Sequence, residues 1–383
     1  MYNTYCGIDF GTTNSAISIS SKNKSPYLAK FNNDKKVIPT AIFFPEDAVF
    51  SPIFGNEALD EYINGSLGRF MRSLKRILGT ELMKQKADVN GVKISYEDII
   101  TKFIKHLKDT AESQIDVELT DVVLGRPVHF QDSSPESDKE AEKILKNIAR
   151  TVGFKNISFQ YEPISAAYSH EQNLETEKLA CVIDIGGGTS DFSIIRLGPQ
   201  SKNKQSRKDD ILANSGVRIG GNDFDRDLSI KCFMPSLGYG TYLKPDAYTK
   251  RILPVPFSPY IALSEWSSIN SLYTYLEQKN IKQLYESSAE PQKLANLYEI
   301  VVKELGHILL NRVECCKIDL SQKDSVVSEL DFLKEKPKIY STNNEFIVSI
   351  NKDVNKIMES LDECIKQAQI KADEIDMVLV MIF

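Results

Sequence analysis

The chain has 383 residues, 42 % hydrophobic and 26 % charged, with a formal net charge of −6. These are the proportions of an ordinary globular protein with enough chain for two or three domains, or for one large two-lobed unit, and the acidic balance argues against nucleic acid or an anionic membrane surface as the main partner. Six cysteines without a CxxC pair, and four dispersed histidines (His106, His129, His170, His307) without an HExxH, argue against zinc and disulfides and for reduced thiols in a cytoplasmic protein.

The chain enters a strand almost at once, which leaves no room for a signal peptide, and no apolar run is long enough to span a bilayer. The opening stretch from Tyr5 to Ile19 (YCGIDFGTTNSAISI) reads as an apolar strand, an acid, a Gly-Thr-Thr turn and a returning strand. Short strands are expected near Tyr27–Phe31 and Thr40–Phe44, separated by the turn cluster Asn32-Asn33-Asp34. Glu57–Ile63 and Leu67–Leu78 read as helices; the second stops at Gly79 with Arg72, Lys75 and Arg76 in its last turns, where cations suit the helix dipole. A capping sequence at Ser95–Asp98 leads into a long helix to about Ser113. Asp121–Gly125 reads as a buried strand ended by Arg126-Pro127, Pro135–Val152 as an amphipathic helix, and Ile157–Tyr161 as the next strand. Glu162-Pro163-Ile164-Ser165-Ala166-Ala167-Tyr168 then opens a helix with acid and proline in its first turn. The alternation of strands and helices indicates an α/β fold.

Leu179–Arg196 (LACVIDIGGGTSDFSIIR) repeats the opening grammar: an apolar run to Asp184, then Gly186, Gly187, Gly188 and Thr189, then a strand through Asp191 and Phe192. Gln200–Asp210 is a polar hairpin tip, Ile211–Ile219 a strand, and Gly220-Gly221-Asn222-Asp223 opens a helix. Gly238–Pro259 is expected to be irregular, Pro291–Ile318 helical, Ile347–Ile350 a strand, Lys352–Ala372 a helix and Ile375–Phe383 a terminal strand.

Glycines in a tight turn admit positive φ and let an anion reach backbone N–H groups with no Cβ in the way. A single such hairpin can simply be a turn that needs glycine. Two of them, far apart in sequence, suggest similar half-domains that clamp a polyphosphate, with Asp9 and Asp184 holding a hydrated Mg²⁺ on its oxygens. The other phosphate cradles, GxxxxGK[ST] and GxGxxG between a strand and a helix, are absent from the sequence.

With both hairpins, the EPISAAY helix start and the GGNDFD turn, the sequence resembles the seventy-kilodalton heat-shock chaperone family, and more narrowly its short YegD-type members, which lack the peptide-binding domain. The resemblance runs from Gly7 to Ile382. It implies a two-lobed actin-like ATPase fold, each lobe with a ribonuclease-H-like core. Lobe I is expected over residues 1–175 and lobe II over 176–383, with a helical insert at about 238–320. By the same resemblance Gly11, Thr12 and Thr13 form the first phosphate hairpin and Gly186, Gly187, Gly188 and Thr189 the second. Asp9, Asp184 and Glu162 attend the metal, Lys75 faces the γ-phosphate and attacking water, and Asp191 lies near the phosphates or a monovalent cation. Gly220 and Gly221 turn beside the sugar, and Glu314 and Lys317 touch ribose and adenine.

The implied cofactors are ATP or ADP and Mg²⁺. The implied activity is ATP hydrolysis in protein folding or quality control, with unidentified co-chaperones or unfolded clients as partners. Two departures stand out: Ile318 replaces an arginine that stacks on adenine in the family, and Met381-Ile382-Phe383 stands where a Gly-Gly-Ser adenosine loop is expected. The second suggests a truncated or frameshifted reading frame, weaker nucleotide binding and poor solubility. A catalytically degenerate interaction module and a sugar-type kinase are the alternative functions.

Overall fold

A computed structural model describes residues 4–382 apart from 23, 128–129, 132–133, 172, 201–207 and 246–247. His129 and most of the Gln200–Asp210 tip therefore lie outside the described residues. The chain divides into two compact units. The first comprises Met1–Gly220 and Lys356–Phe383, the second Gly221–Asn355. Among the described residues no helix is long and apolar enough to cross a membrane.

The first unit holds two principal sheets. In one, the strand order is Asn156–Tyr161, Asp121–Arg126, Thr4–Phe10, Asn14–Ser21, Lys24–Leu28. The first three run parallel, and Thr4–Phe10 returns as an antiparallel hairpin with Thr4 opposite Ser21 and Phe10 opposite Ser15. Period-2 alternation fixes the faces. Cys6, Ile8, Phe10, Val122 and Leu124 point into a core shared with Phe103, Ile104, Leu145 and Ile148 of the helices Tyr96–Ile115 and Pro135–Thr151. Each such side chain contributes roughly 1.5–3 kcal/mol on burial. Gly7, Asp9 and Gly125 alternate with them and are left for the other face. Ser95 caps the first helix by accepting from the Asp98 N–H at 3.0 Å, and Ser134 accepts from Ser137 at the start of the second.

The other sheet has the order Ile211–Val217, Ser190–Leu197, Lys178–Ile185, Met377–Ile382. The outermost pairing is parallel and the others antiparallel. Its core is Ala180, Val182, Ile195 and Leu197 packed on Ala167.

Three sequence expectations are corrected. Leu67–Leu78 is not a helix: Gly68–Arg72 is a strand antiparallel to Ala41–Pro45, with Phe70 opposite Phe43 and Met71 opposite Ile42, and only Leu74–Ile77 is helical, as one 3₁₀ turn. Burial of Phe70 and Met71 against the partner strand outweighs a helical spacing of apolar residues. In the second unit, Pro291–Ile318 is two helices, Pro291–Val302 and Gly306–Leu320. The break falls where Glu304 takes φ 54° and the Leu305 N–H returns to the Ile300 carbonyl at 2.8 Å, a helix-ending geometry. Ile347–Ile350 is not a strand but lies inside the helix Asn343–Gln367.

That helix begins with a capping box. The Glu345 N–H donates to Thr342 Oγ1 at 3.2 Å, and the Thr342 N–H donates to Glu345 Oε2 at 3.0 Å. Thr342→Ala is expected to cost about 1 kcal/mol at this helix end. Hydrogen exchange at residues 343–348 checks it, with roughly fivefold faster exchange expected and unchanged protection counting against the cap.

Candidate functional site

Both glycine hairpins end in the same way. Asp9 is the penultimate residue of Thr4–Phe10 and Asp184 the penultimate residue of Lys178–Ile185, so each carboxylate stands one residue before its turn. The two turns line a single cleft of about 490 Å³ within the first unit. Asp9, Gly11, Thr12, Thr13, Lys75, Glu162, Asp184, Gly186, Gly187, Gly188 and Thr189 all border it. A cleft of that size suits a small molecule of nucleotide dimensions.

The turns approach each other closely. A Cβ on Gly188 would fall 2.8 Å from Thr12 Oγ1, so a larger residue there requires the Thr12 side chain to shift. Gly220 packs beneath the second turn: a Cβ there would fall 2.5 Å from the Gly186 carbonyl oxygen and 2.6 Å from the Gly188 nitrogen. The Ser190 hydroxyl, donating to the Ile219 carbonyl at 2.8 Å, holds that packing. In the first turn, Thr40 donates from Oγ1 to the Gly11 carbonyl at 2.8 Å and from its N–H to the Thr13 carbonyl at 2.8 Å. Thr40 is fully buried and is a supporting residue that the sequence reading missed. Nothing in its neighbours, Pro39 and Ala41, marks it.

Lys75 is buried, 8 % exposed, and its Nζ lies 2.7 Å from Glu162 Oε1. Burial alone would lower its pKa; Glu162, Asp9 and Asp191 outweigh that and hold the ammonium above its ordinary range. Glu162 is the first residue of the helix Glu162–Glu171, against Gly125, where a Cβ would lie 3.1 Å from its Cγ. The aspartates shift upward. Asp184 rises to about 8, chiefly through burial, then through Glu162 and Asp191, with Lys75 opposing. Asp9 opens toward the cleft yet has enough protein around it to reach about 6, again through burial first and Glu162 second. Asp191 pairs with Asp184 across the second hairpin and is buried behind the cleft wall.

Among the described residues, no three His, Cys, Asp or Glu side chains converge closely enough to ligate one metal ion directly. The donor set does fit a hydrated Mg²⁺, which keeps several waters and takes one or two carboxylates. Two buried atoms on the cleft wall point the same way, since Asp184 Oδ1 and Thr13 Oγ1 have no hydrogen-bond partner among the described residues.

The remaining expected residues lie in the second unit. Gly221 starts the helix Gly221–Leu228, and Lys317 Nζ donates to the Gly221 carbonyl at 3.1 Å and to Asp225 Oδ2 at 2.9 Å. Glu314, half-buried, sits one turn before Lys317 on Gly306–Leu320. Of the histidines, His106 is stacked on Phe54 at 4.4 Å and His307 is buried beside Trp266, both in structural settings.

The family profile of the Hsp70 protein matches residues 5–234. The "Chaperone protein HscA homolog" of Rickettsia rickettsii (strain Sheila Smith) is 34 % identical over 233 residues, 57 % of this chain and 36 % of that protein. The proteins of the same name from Rickettsia typhi (strain ATCC VR-144 / Wilmington) and Rickettsia felis (strain ATCC VR-1525 / URRWXCal2) are 32 % and 31 % identical over 233 and 232 residues. The match thus spans about a third of the length of these curated relatives.

The raised pKa of Asp184 has a consequence for stability. Between the ordinary carboxylate range and about pH 8 the folded protein keeps a proton that the unfolded chain has released, so this group's contribution falls as pH rises through that window. Without nucleotide, Asp184→Asn is expected to gain on the wild type by up to about 1.4 kcal/mol per pH unit between pH 5 and 8. Urea midpoints across that range measure it; parallel profiles for the two proteins would rule the shift out.

Proposed function

Since this chain belongs to the Hsp70 family and has the family's α/β actin-like ATPase fold, we propose that the cleft of its first unit binds ATP with Mg²⁺ and hydrolyses the γ-phosphoryl bond. The observation that carries the reading is the buried Lys75–Glu162 pair on the wall of the cleft bordered by both glycine-threonine turns.

Phosphoryl transfer asks little of a protein beyond positioning and charge neutralisation. The amides of Gly11–Thr13 and Gly186–Thr189 bind the phosphates, and the Thr12, Thr13 and Thr189 hydroxyls add donors. Asp9 and Asp184, with Glu162, hold the hydrated Mg²⁺, which when bound supplies positive charge at the phosphate oxygens. Lys75 stabilises charge developing on the γ-phosphoryl oxygens, and Glu162 keeps its ammonium charged and aimed. Asp191 supports the same charge balance from behind. Gly220, packed beneath the second turn, borders the sugar. In this reading residues 1–175 and 176–383 each contribute one phosphate hairpin. The relatives' printed name supports a role in chaperoning, with co-chaperones or unfolded protein segments as partners.

A well-placed donor of this kind is worth about 3–4 kcal/mol in the transition state. Lys75→Ala should therefore lower kcat by about 10²–10³-fold while leaving the ADP dissociation constant within a few-fold. Isothermal titration with ADP or ATP plus Mg²⁺ and steady-state phosphate release check both. No binding at millimolar nucleotide would reject the site, and equal background turnover in wild type and variant would reduce it to a binding module.

A further inference from the structure

The turn that carries Lys75 is too short to hold itself in place. Leu74–Ile77 is one 3₁₀ turn, closed by the Arg76 N–H on the Ser73 carbonyl and the Leu78 N–H on the Lys75 carbonyl, at 3.1 and 3.2 Å. It starts from Ser73 at φ 61°, a left-handed conformation that a non-glycine residue keeps only when its surroundings enforce it. It ends at Gly79, φ 74°, where a Cβ would meet the Ser137 carbonyl oxygen at 2.5 Å and Gln131 Cγ at 3.0 Å.

What encloses the turn comes partly from the other sheet. Arg218 follows the strand Ile211–Val217 and stands two residues before Gly220, which packs on the second glycine turn. One amino group of its guanidinium donates to Gln131 Oε1 and the other to the Arg76 carbonyl. Gln131, buried, donates from Nε2 to the Leu78 carbonyl. The carbonyls on both sides of Ile77 are thus held from outside. Arg76 also stands beside the second turn, its Cγ 3.3 Å from where a Cβ of Gly188 would stand.

We infer that Arg218, relayed through Gln131, is a positioning residue that seats the Lys75 turn against the second glycine turn. It is not among the residues that border the cleft and acts through the backbone of Arg76 and Leu78. A planar fork reaches two acceptors at once, which a lysine ammonium on a flexible stem does not reproduce. The inference rests on the reading that Lys75 serves phosphoryl transfer, and it adds a physical link: movement of the second sheet relative to the Lys75 turn must strain or break the Arg218 contacts.

The test uses the full chain with Arg218→Ala, Arg218→Lys and Gln131→Ala. Losing hydrogen bonds to a charged donor should lower kcat by about 10–100-fold, while the ADP dissociation constant and the ATP KM stay within about threefold. Amide exchange at residues 76–79 should rise by a similar factor, and Arg218→Lys should recover part of both. Arg218→Ala with wild-type kcat and wild-type exchange overturns the inference. So does a parallel loss of kcat, nucleotide affinity and thermal midpoint, which marks a general structural role. Should the wild type release no phosphate, the proposed activity fails, and the exchange data with melting curves alone decide whether Arg218 holds the turn.

Discussion

A single buried ammonium set among Asp9, Glu162, Asp184 and Asp191 is the constraint on which the first unit depends. Removing charges from water costs several kcal/mol apiece unless geometry returns it. Glu162 makes a direct contact with the ammonium, 2.7 Å from Lys75 Nζ. The imbalance is expressed in Asp184 and Asp9, whose ionisation is pushed to about 8 and about 6. Protonation is the ordinary escape for a buried acid lacking a counter-charge. A divalent cation with its water shell offers the other escape, and the carboxylates that would use it are the ones that end the two hairpin strands.

Such a site needs a rigid frame, because none of its charged groups would choose this arrangement alone. The frame is made of backbone carbonyls held by side-chain donors. Thr40 ties the first turn through two hydrogen bonds, and the Ser190 hydroxyl ties the segment beneath the second. Gly220 permits a backbone approach that any Cβ would forbid, and Gly188 leaves room for the Thr12 side chain. Lys75 is held at its ammonium by Glu162 and at its turn by contacts to neighbouring carbonyls. Precision of this kind is what converts a cluster of donors into a site whose electrostatics are set before a ligand arrives.

The hairpins were legible because pattern and chemistry agree locally: alternation into an acid, glycines at the bend, alternation out again. Where two local signals conflicted, the reading failed. Leu67, Phe70, Met71, Leu74, Ile77 and Leu78 fall at helical spacing, yet Phe70 and Met71 lie in the strand that pairs with Ala41–Pro45, and the sheet wins because that pairing buries both. Ile347–Ile350 looks like a strand by composition, but the Thr342-x-x-Glu345 signature just before it was the decisive signal. Thr40, Gln131 and Arg218 could not have been found in the same way. Their partners lie 29, 53 and 142 residues away in the chain, so no window of sequence contains the relation.

Stability and the proposed chemistry pull in opposite directions at this site. Carboxylates useful to a metal must ionise, while the folded protein without ligand favours their neutral forms. Each step toward the competent charge state therefore costs folding free energy that ligand binding has to offset. The burden falls unevenly. Asp9 faces the cleft and shifts less, whereas Asp184 is enclosed, has an oxygen without a hydrogen bond, and shifts more. Asp184 is consequently a group whose ionisation, if a ligand called for it, would weigh on the stability of its own strand. That strand lies between the returning hairpin strand and Met377–Ile382, so a change at its end is carried into both neighbours.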